Sequence, residues 1–160
     1  ADRARLLEGE GNFAAAEELY RECLAERLSA QGEDHLDTLA SKFSLANVLM
    51  RRGRFPDAEA LYRDVLAARS ALLGERHLQT IAAKHCLSCA LSEQGRFVEA
   101  VARYRDALVD WDDCDVDAEH PGVLSTKNGL AVALMKLGKL PQAEELYREV
   151  LAGRLRLLGE

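Results

Sequence analysis

Long apolar runs are missing from this sequence, and none is long enough to cross a bilayer. No charged, apolar and small-residue succession of a secretory leader is present in it either. Aromatic residues make up 6% of the chain and prolines number three, so neither an aromatic-rich sheet core nor a proline-rich linker is expected. No segment alternates apolar and polar residues, which argues against strands. A basic balance is missing too: the net charge is −6, which removes the electrostatic case for nucleic acid. There are four cysteines, Cys23, Cys86, Cys89 and Cys114, and a chain of 160 residues rich in Ala and Leu does not need disulfides to hold it together. Thiols acting as small apolar side chains in a reducing, cytoplasmic setting are the simpler expectation. No cofactor and no enzyme activity is expected.

What is present is one phrase, written four times. It reads GNFAAAEELYRECLAER from Gly11, GRFPDAEALYRDVLAAR from Gly53, GRFVEAVARYRDALVDW from Gly95 and GKLPQAEELYREVLAGR from Gly138. The glycines are spaced 42, 42 and 43 residues apart. Tyr20, Tyr62, Tyr104 and Tyr147 keep the same spacing, as do Ala16, Ala58, Ala100 and Ala143. A loop column of His35, His77 and His120 follows it as well. A fixed period in this range means stacked units, each completing its neighbour's core.

Each unit holds two helical phrases. The first runs from Thr38 to Arg52, with Leu39, Leu45, Ala46 and Leu49 on one face, and Gly53 ends it. The second runs from about Pro56 to Leu73, with Ala58, Leu61, Tyr62, Val65 and Leu66 as its apolar face. Thr38 and Thr80 are placed to cap first helices with their hydroxyls. The small columns (Ala46, Ser88, Ala131; Ala16, Ala58, Ala100, Ala143) let helices approach closely while the tyrosines fill the space beside them. Phe13, Phe55, Phe97 and then Leu140 are expected to plug the turns.

These small–aromatic sets resemble tetratricopeptide repeats. The longer period, with AEALYRDVL, LLGERHLQT and LGKLPQAEELYREVL, is similar to the repeat of kinesin light chains, which also occurs in bacterial signalling proteins. The resemblance implies an all-α, right-handed α-solenoid of stacked antiparallel helix pairs. It implies a single domain over residues 1–160, with a partial repeat at 1–32 and full repeats at 33–74, 75–117 and 118–160. No polar capping helix closes the pattern, so the parent protein is expected to continue in both directions. The implied job is binding a protein or peptide partner on the concave face, with no nucleic acid and no membrane involved. Self-association as a scaffold, or a sensor region of a larger bacterial regulator, are the alternatives.

On the first helices, the stripe beside the apolar face includes Phe43, Asn47, Met50 and Arg51, then His85 and Cys89, then Asn128, Met135 and Lys136. Amides can hold a peptide backbone and methionines adapt to varied surfaces, so these nine residues are the candidate partner site. Asn128 matches an asparagine common in kinesin light chains, while Phe43 and His85 depart from it.

Lys42, Lys84 and Lys127 form a further column, three of only five lysines. They fall within the apolar stripe, where a lone ammonium is costly. The column Glu22, Asp64, Asp106 and Glu149 offers partners, so the lysines are expected to join repeats by ion pairs. The alternative is a basic ladder on the groove floor that attracts acidic peptides.

Three other patterns invite chemistry. Cys86-x-x-Cys89 falls mid-helix with no second ligand pair, which is a weak metal or redox signal. Asp113, Asp115, Asp117 and Glu119 alternate as in a calcium loop, but no glycine stands at the sixth place and Leu124 stands where a bidentate glutamate is needed. A solvated acidic loop that ends its helix early is expected instead, with Trp111 as a candidate exposed anchor. The histidine column is expected to satisfy helix ends rather than to catalyse.

Overall fold

The computed structural model describes residues 2–114 and 116–159. It contains α1 (Asp2–Gly9), α2 (Phe13–Gln31), α3 (Leu36–Arg51), α4 (Phe55–Leu73), α5 (Leu78–Glu93), α6 (Phe97–Asp113), α7 (Pro121–Lys136) and α8 (Leu140–Leu158). Among the described residues there is no strand. The chain divides into two compact units, residues 1–72 and 73–160. In the first, α1 packs on α2 and α2 on α3. In the second, α5 packs on α6, α6 on α7 and α7 on α8, while α5 also lies beside α7.

The histidine column begins each first helix. The Nδ1 of His35 accepts the Asp37 N–H at 3.2 Å, that of His77 the Gln79 N–H at 3.2 Å, and that of His120 the Gly122 N–H at 3.1 Å. Each satisfies one of the orphan donors of a helix start. Thr38 and Thr80 therefore do not cap, contrary to the sequence expectation. Both are fully buried, and neither hydroxyl finds a partner among the described residues. Val123 occupies the same column, so the position is one of packing. First helices end alike. Gly53, Gly95 and Gly138 take φ of 72°, 77° and 75°, and the next residue's N–H reaches back to Leu49, Leu91 or Leu134. That backbone suits glycine, because a Cβ at positive φ is strained.

The small columns are closed. Ala4, Ala46, Ser88 and Ala131 are fully buried, as are Ala16, Ala58 and Ala100. Tyr20, Tyr62 and Tyr104 are 3%, 2% and 2% exposed. The clearest close approach is at Gly129 in α7, where a Cβ would stand 2.6 Å from Cζ of Tyr104 in α6. Gly153 similarly gives way to Leu124, and Gly122 to Trp111. The expected phenylalanine plugs are weaker than the sequence implied. Phe13, Phe55 and Phe97 are half-buried and Leu140 is 60% exposed.

One inter-repeat contact has no signal in the repeat pattern. Glu17 of α2 is 1% exposed, and its carboxylate receives Arg52, Arg54 at 2.9 Å and Arg21 at 2.6 Å. Three guanidinium partners offset the desolvation of one buried carboxylate. In the second unit the same column holds Val101, with Leu137 and Lys139 in the places of Arg52 and Arg54. One packing position thus takes a buried carboxylate at Glu17 and an apolar side chain at Val101.

Two substitutions test this packing. Gly129→Ala should lower unfolding free energy by ~1–3 kcal/mol, because the Tyr104 ring must move; urea denaturation measures it. Thr80→Val should raise stability by about 1 kcal/mol, since it replaces a buried hydroxyl that has no acceptor with a methyl. A drop in melting temperature on Thr80→Val would mean that the hydroxyl is bonded in solution.

Candidate functional site

Tyr20, Tyr62 and Tyr104 aim their hydroxyls at first helices. Tyr62 donates to Oδ1 of Asn47 at 2.7 Å, and Tyr104 donates to Sγ of Cys89 at 3.2 Å. Two candidate residues are thereby fixed by their own repeat. Phe43 is fixed too: it meets the edge of Tyr62 at 5.6 Å, with the Arg69 guanidinium 4.8 Å above its ring. Met50 is half-buried and Arg51 is exposed in the last turn of α3.

His85 sits within a larger network. The Thr126 hydroxyl donates to the Gly122 carbonyl at 2.7 Å, so its oxygen is left to accept. It accepts the Trp111 indole N–H at 3.3 Å and faces Nδ1 of His85 at 3.3 Å. Nδ1 of His85 then carries the proton, and Nε2 faces Sγ of Cys89 at 3.5 Å as an acceptor. The imidazole also tilts against Tyr104 at 5.8 Å. Burial lowers the His85 pKa, so the ring stays neutral. Burial pushes the Cys89 thiol up, against the bond from Tyr104, so the thiolate is disfavoured.

This network floors a cleft of about 430 Å³ lined by Leu78, Ala82, His85, Trp111, Pro121 and Ser125, among others. Ala82 and Ser125 belong to the same stripe as the candidate residues. Trp111 is not the exposed anchor expected from the sequence. It is 4% exposed, packed with Ile81, Ala107 and Val123, and tilted on the His120 ring at 4.9 Å. Its helix does end early, at 17 residues against 19 for α4. Of the remaining candidates, Asn128 is half-buried on α7 and Lys136 is exposed. Met135 lines a separate cleft of about 470 Å³ with Leu140, Tyr147 and Leu151.

The lysine column makes its bonds inside repeats, not between them. Nζ of Lys84 meets Asp110 at 2.6 Å and Glu75 at 2.6 Å, and Nζ of Lys127 meets Glu149 at 2.6 Å. Burial opposes the Lys84 charge, but the bonds to the two carboxylates prevail and hold its pKa above the ordinary lysine value. Asp106 is not the partner of Lys84: Asp110, one helical turn further along α6, is the carboxylate that reaches it. Lys42 has no ion pair among the described residues, and its repeat carries Ala68 where Asp110 stands in the next.

No group of three or more His, Cys, Asp or Glu among the described residues is placed to hold a metal ion. Asp115 of the acidic loop lies outside the described residues. Asp113 pairs with Arg76 at 2.9 Å, and Glu119 with Arg156 at 2.5 Å. No helix among the described residues is long and apolar enough to cross a membrane.

Antiparallel helix pairs recurring every 42–43 residues, with clefts along the first helices, define an α-helical repeat protein. Family models for the tetratricopeptide repeat match residues 1–72, 40–108 and 123–160. The chain belongs to that family, as an array of the kinesin light chain-like type. No curated protein matches the sequence. Among solved structures, a kinesin light chain-like protein of Podosopora anserina with nearly identical TPR-like repeats is similar over 98% of this chain and 74% of that one, at 27% identity and a TM-score of 0.81. BtubC (BKLC) from P. vanneervenii superposes with a TM-score of 0.85 at 19% identity, over 98% of this chain and 62% of that one. The TPR domain of Arabidopsis FLU does so at 0.64 and 21%, over 76% and 96%. The latter two likenesses are of fold alone.

Burial and the Glu8 bond push the Tyr20 hydroxyl from 10.0 up to about 12, and burial with Cys89 raises that of Tyr104 as well. The unfolded chain then releases these protons first. Stability from both groups is complete below pH ~10 and falls as pH rises beyond it. A pH series of urea midpoints should decline above that value, and less steeply in Tyr20→Phe.

Proposed function

We propose that this protein–protein interaction module takes a peptide or partner helix on the surface carried by its first helices. The observation that carries the reading is the cleft between α5 and α7. It is apolar along Leu78, Ala82 and Pro121, and its floor is held by the Trp111–Thr126–His85 bonds. A rigid apolar recess beside a few polar groups is what a side-chain anchor needs. In the first unit, taken by itself, the amide nitrogen of Asn47 remains a donor, since its oxygen is used by Tyr62. Asn128 adds both donors and acceptor on α7. Tetratricopeptide arrays bind protein partners as a class, and the kinesin light chain-like relationship points the same way.

The test compares the chain with an Asn47/His85/Asn128→Glu version and with Ser125→Trp, which fills the cleft. Partners are captured from the native cell extract and identified by mass spectrometry, and each is then titrated as a purified protein. The expected result is a partner retained by the natural sequence and lost by both variants, with circular dichroism showing that both remain helical and Ser125→Trp, on the exposed lining, retaining its melting temperature. Equal retention by all three would remove the first-helix surface as the site. It would leave self-association through the exposed Leu140 and Leu151 face as the reading to pursue.

A further inference from the structure

The first unit has its own cleft, and its chemistry is the opposite of the one above. It holds about 190 Å³ and is lined by Arg5, Tyr20, Arg27, Asp37, Ser41 and Ser44, among others. Arg27 shares a repeat column with Trp111, and Ser41 with Thr126, each two periods apart. The same place in the repeat is therefore apolar around an indole in one unit and polar around a guanidinium in the other.

Arg27 is half-buried and positioned. Its Nη1 donates to the Asp37 carbonyl at 2.6 Å and to Oγ of Ser41 at 2.9 Å. Those two bonds use both Nη1 hydrogens and leave Nε and Nη2 with three donors. Neither Arg27 nor Arg5 forms an ion pair with a carboxylate among the described residues, and Arg5 lies against the Tyr20 hydroxyl. Oγ of Ser41 accepts from Arg27, which leaves its O–H to donate, and Ser44 adds a second hydroxyl. The Tyr20 hydroxyl is already given to Glu8 at 3.0 Å. The Asp37 side chain is 59% exposed and turned toward His35, so it is its carbonyl that Arg27 meets.

We propose that this cleft is an oxyanion site that takes a phosphoryl group. Two guanidiniums from different helices and two hydroxyls from a third line the cleft. A planar carboxylate is served by one guanidinium fork, whereas a tetrahedral group with three acceptor oxygens uses all of these donors. The volume has room for one such group. The inference rests on α1, α2 and α3 alone, and stands apart from the reading of the α5–α7 cleft.

The full chain is titrated with inorganic phosphate and, separately, with N-acetyl-phosphoserine amide. Arginine Nε–H resonances are followed by NMR and affinity by calorimetry. Saturable shifts of Arg5 and Arg27 are expected with at least one probe, and the tighter probe shows whether the source is free phosphate or a modified side chain. Arg27→Gln should weaken binding roughly tenfold or more, while Arg103→Gln, on the exposed face of α6, should leave it unchanged. Arg27→Lys keeps the charge without the fork and should bind weakly at unaltered melting temperature. The proposal is overturned by the absence of saturable shifts with both probes, by undiminished affinity in Arg27→Gln, or by equal affinity for N-acetylglutamate amide.

Discussion

Everything in this fold depends on how closely two helices can approach. Tyr104 of α6 lies over Gly129 of α7, and there is no slack at that contact. At Gly129 even a single methyl would collide with the Tyr104 ring. Fully buried alanines at Ala16, Ala46, Ala58, Ala100 and Ala131 extend the same constraint along the chain. Interiors packed at this density transmit any change in volume directly to neighbouring side chains. That is why the repeat keeps its small and aromatic columns while other positions drift.

The drift carries the individuality of the protein. At one column Glu17 is buried under three arginines, and at its counterpart Val101 is simply apolar. At another, Arg27 bonds Ser41, and its counterpart Trp111 bonds Thr126. The second exchange preserves one donor reaching across to the following first helix, but changes the chemistry of the adjoining cleft. A repeat scaffold can thus place unlike pockets at equivalent points without altering its backbone. The tyrosine hydroxyls tie these pockets to the core. By bonding Asn47 and Cys89 they hold two first-helix side chains in place.

Much of the fold is legible in the sequence, because it is written several times. The glycine, alanine and tyrosine columns fix helix ends, packing faces and period, since backbone strain at positive φ and helical spacing act locally. The histidine caps are readable for the same reason: an imidazole two residues before an orphan N–H is a local matter. Helix starts read from the sequence fall two residues or so late, because threonine resembles a cap in isolation. Only burial shows that Thr38 and Thr80 belong to the packed interior.

The sequence by itself determined the all-α repeat, its period and its small–aromatic core. Tertiary structure alone decided which charges meet and which aromatic is buried. Lys84 takes Asp110 rather than Asp106 because one helical turn decides whether a carboxylate faces the ammonium or solvent. Trp111 is a floor rather than an anchor because α7 closes over it at Gly122. Arg5 and Arg27 share a cleft although 22 positions separate them in the sequence. Periodicity constrains each residue's place on its own helix. Pairings between helices depend on rotation and approach, which no single segment encodes.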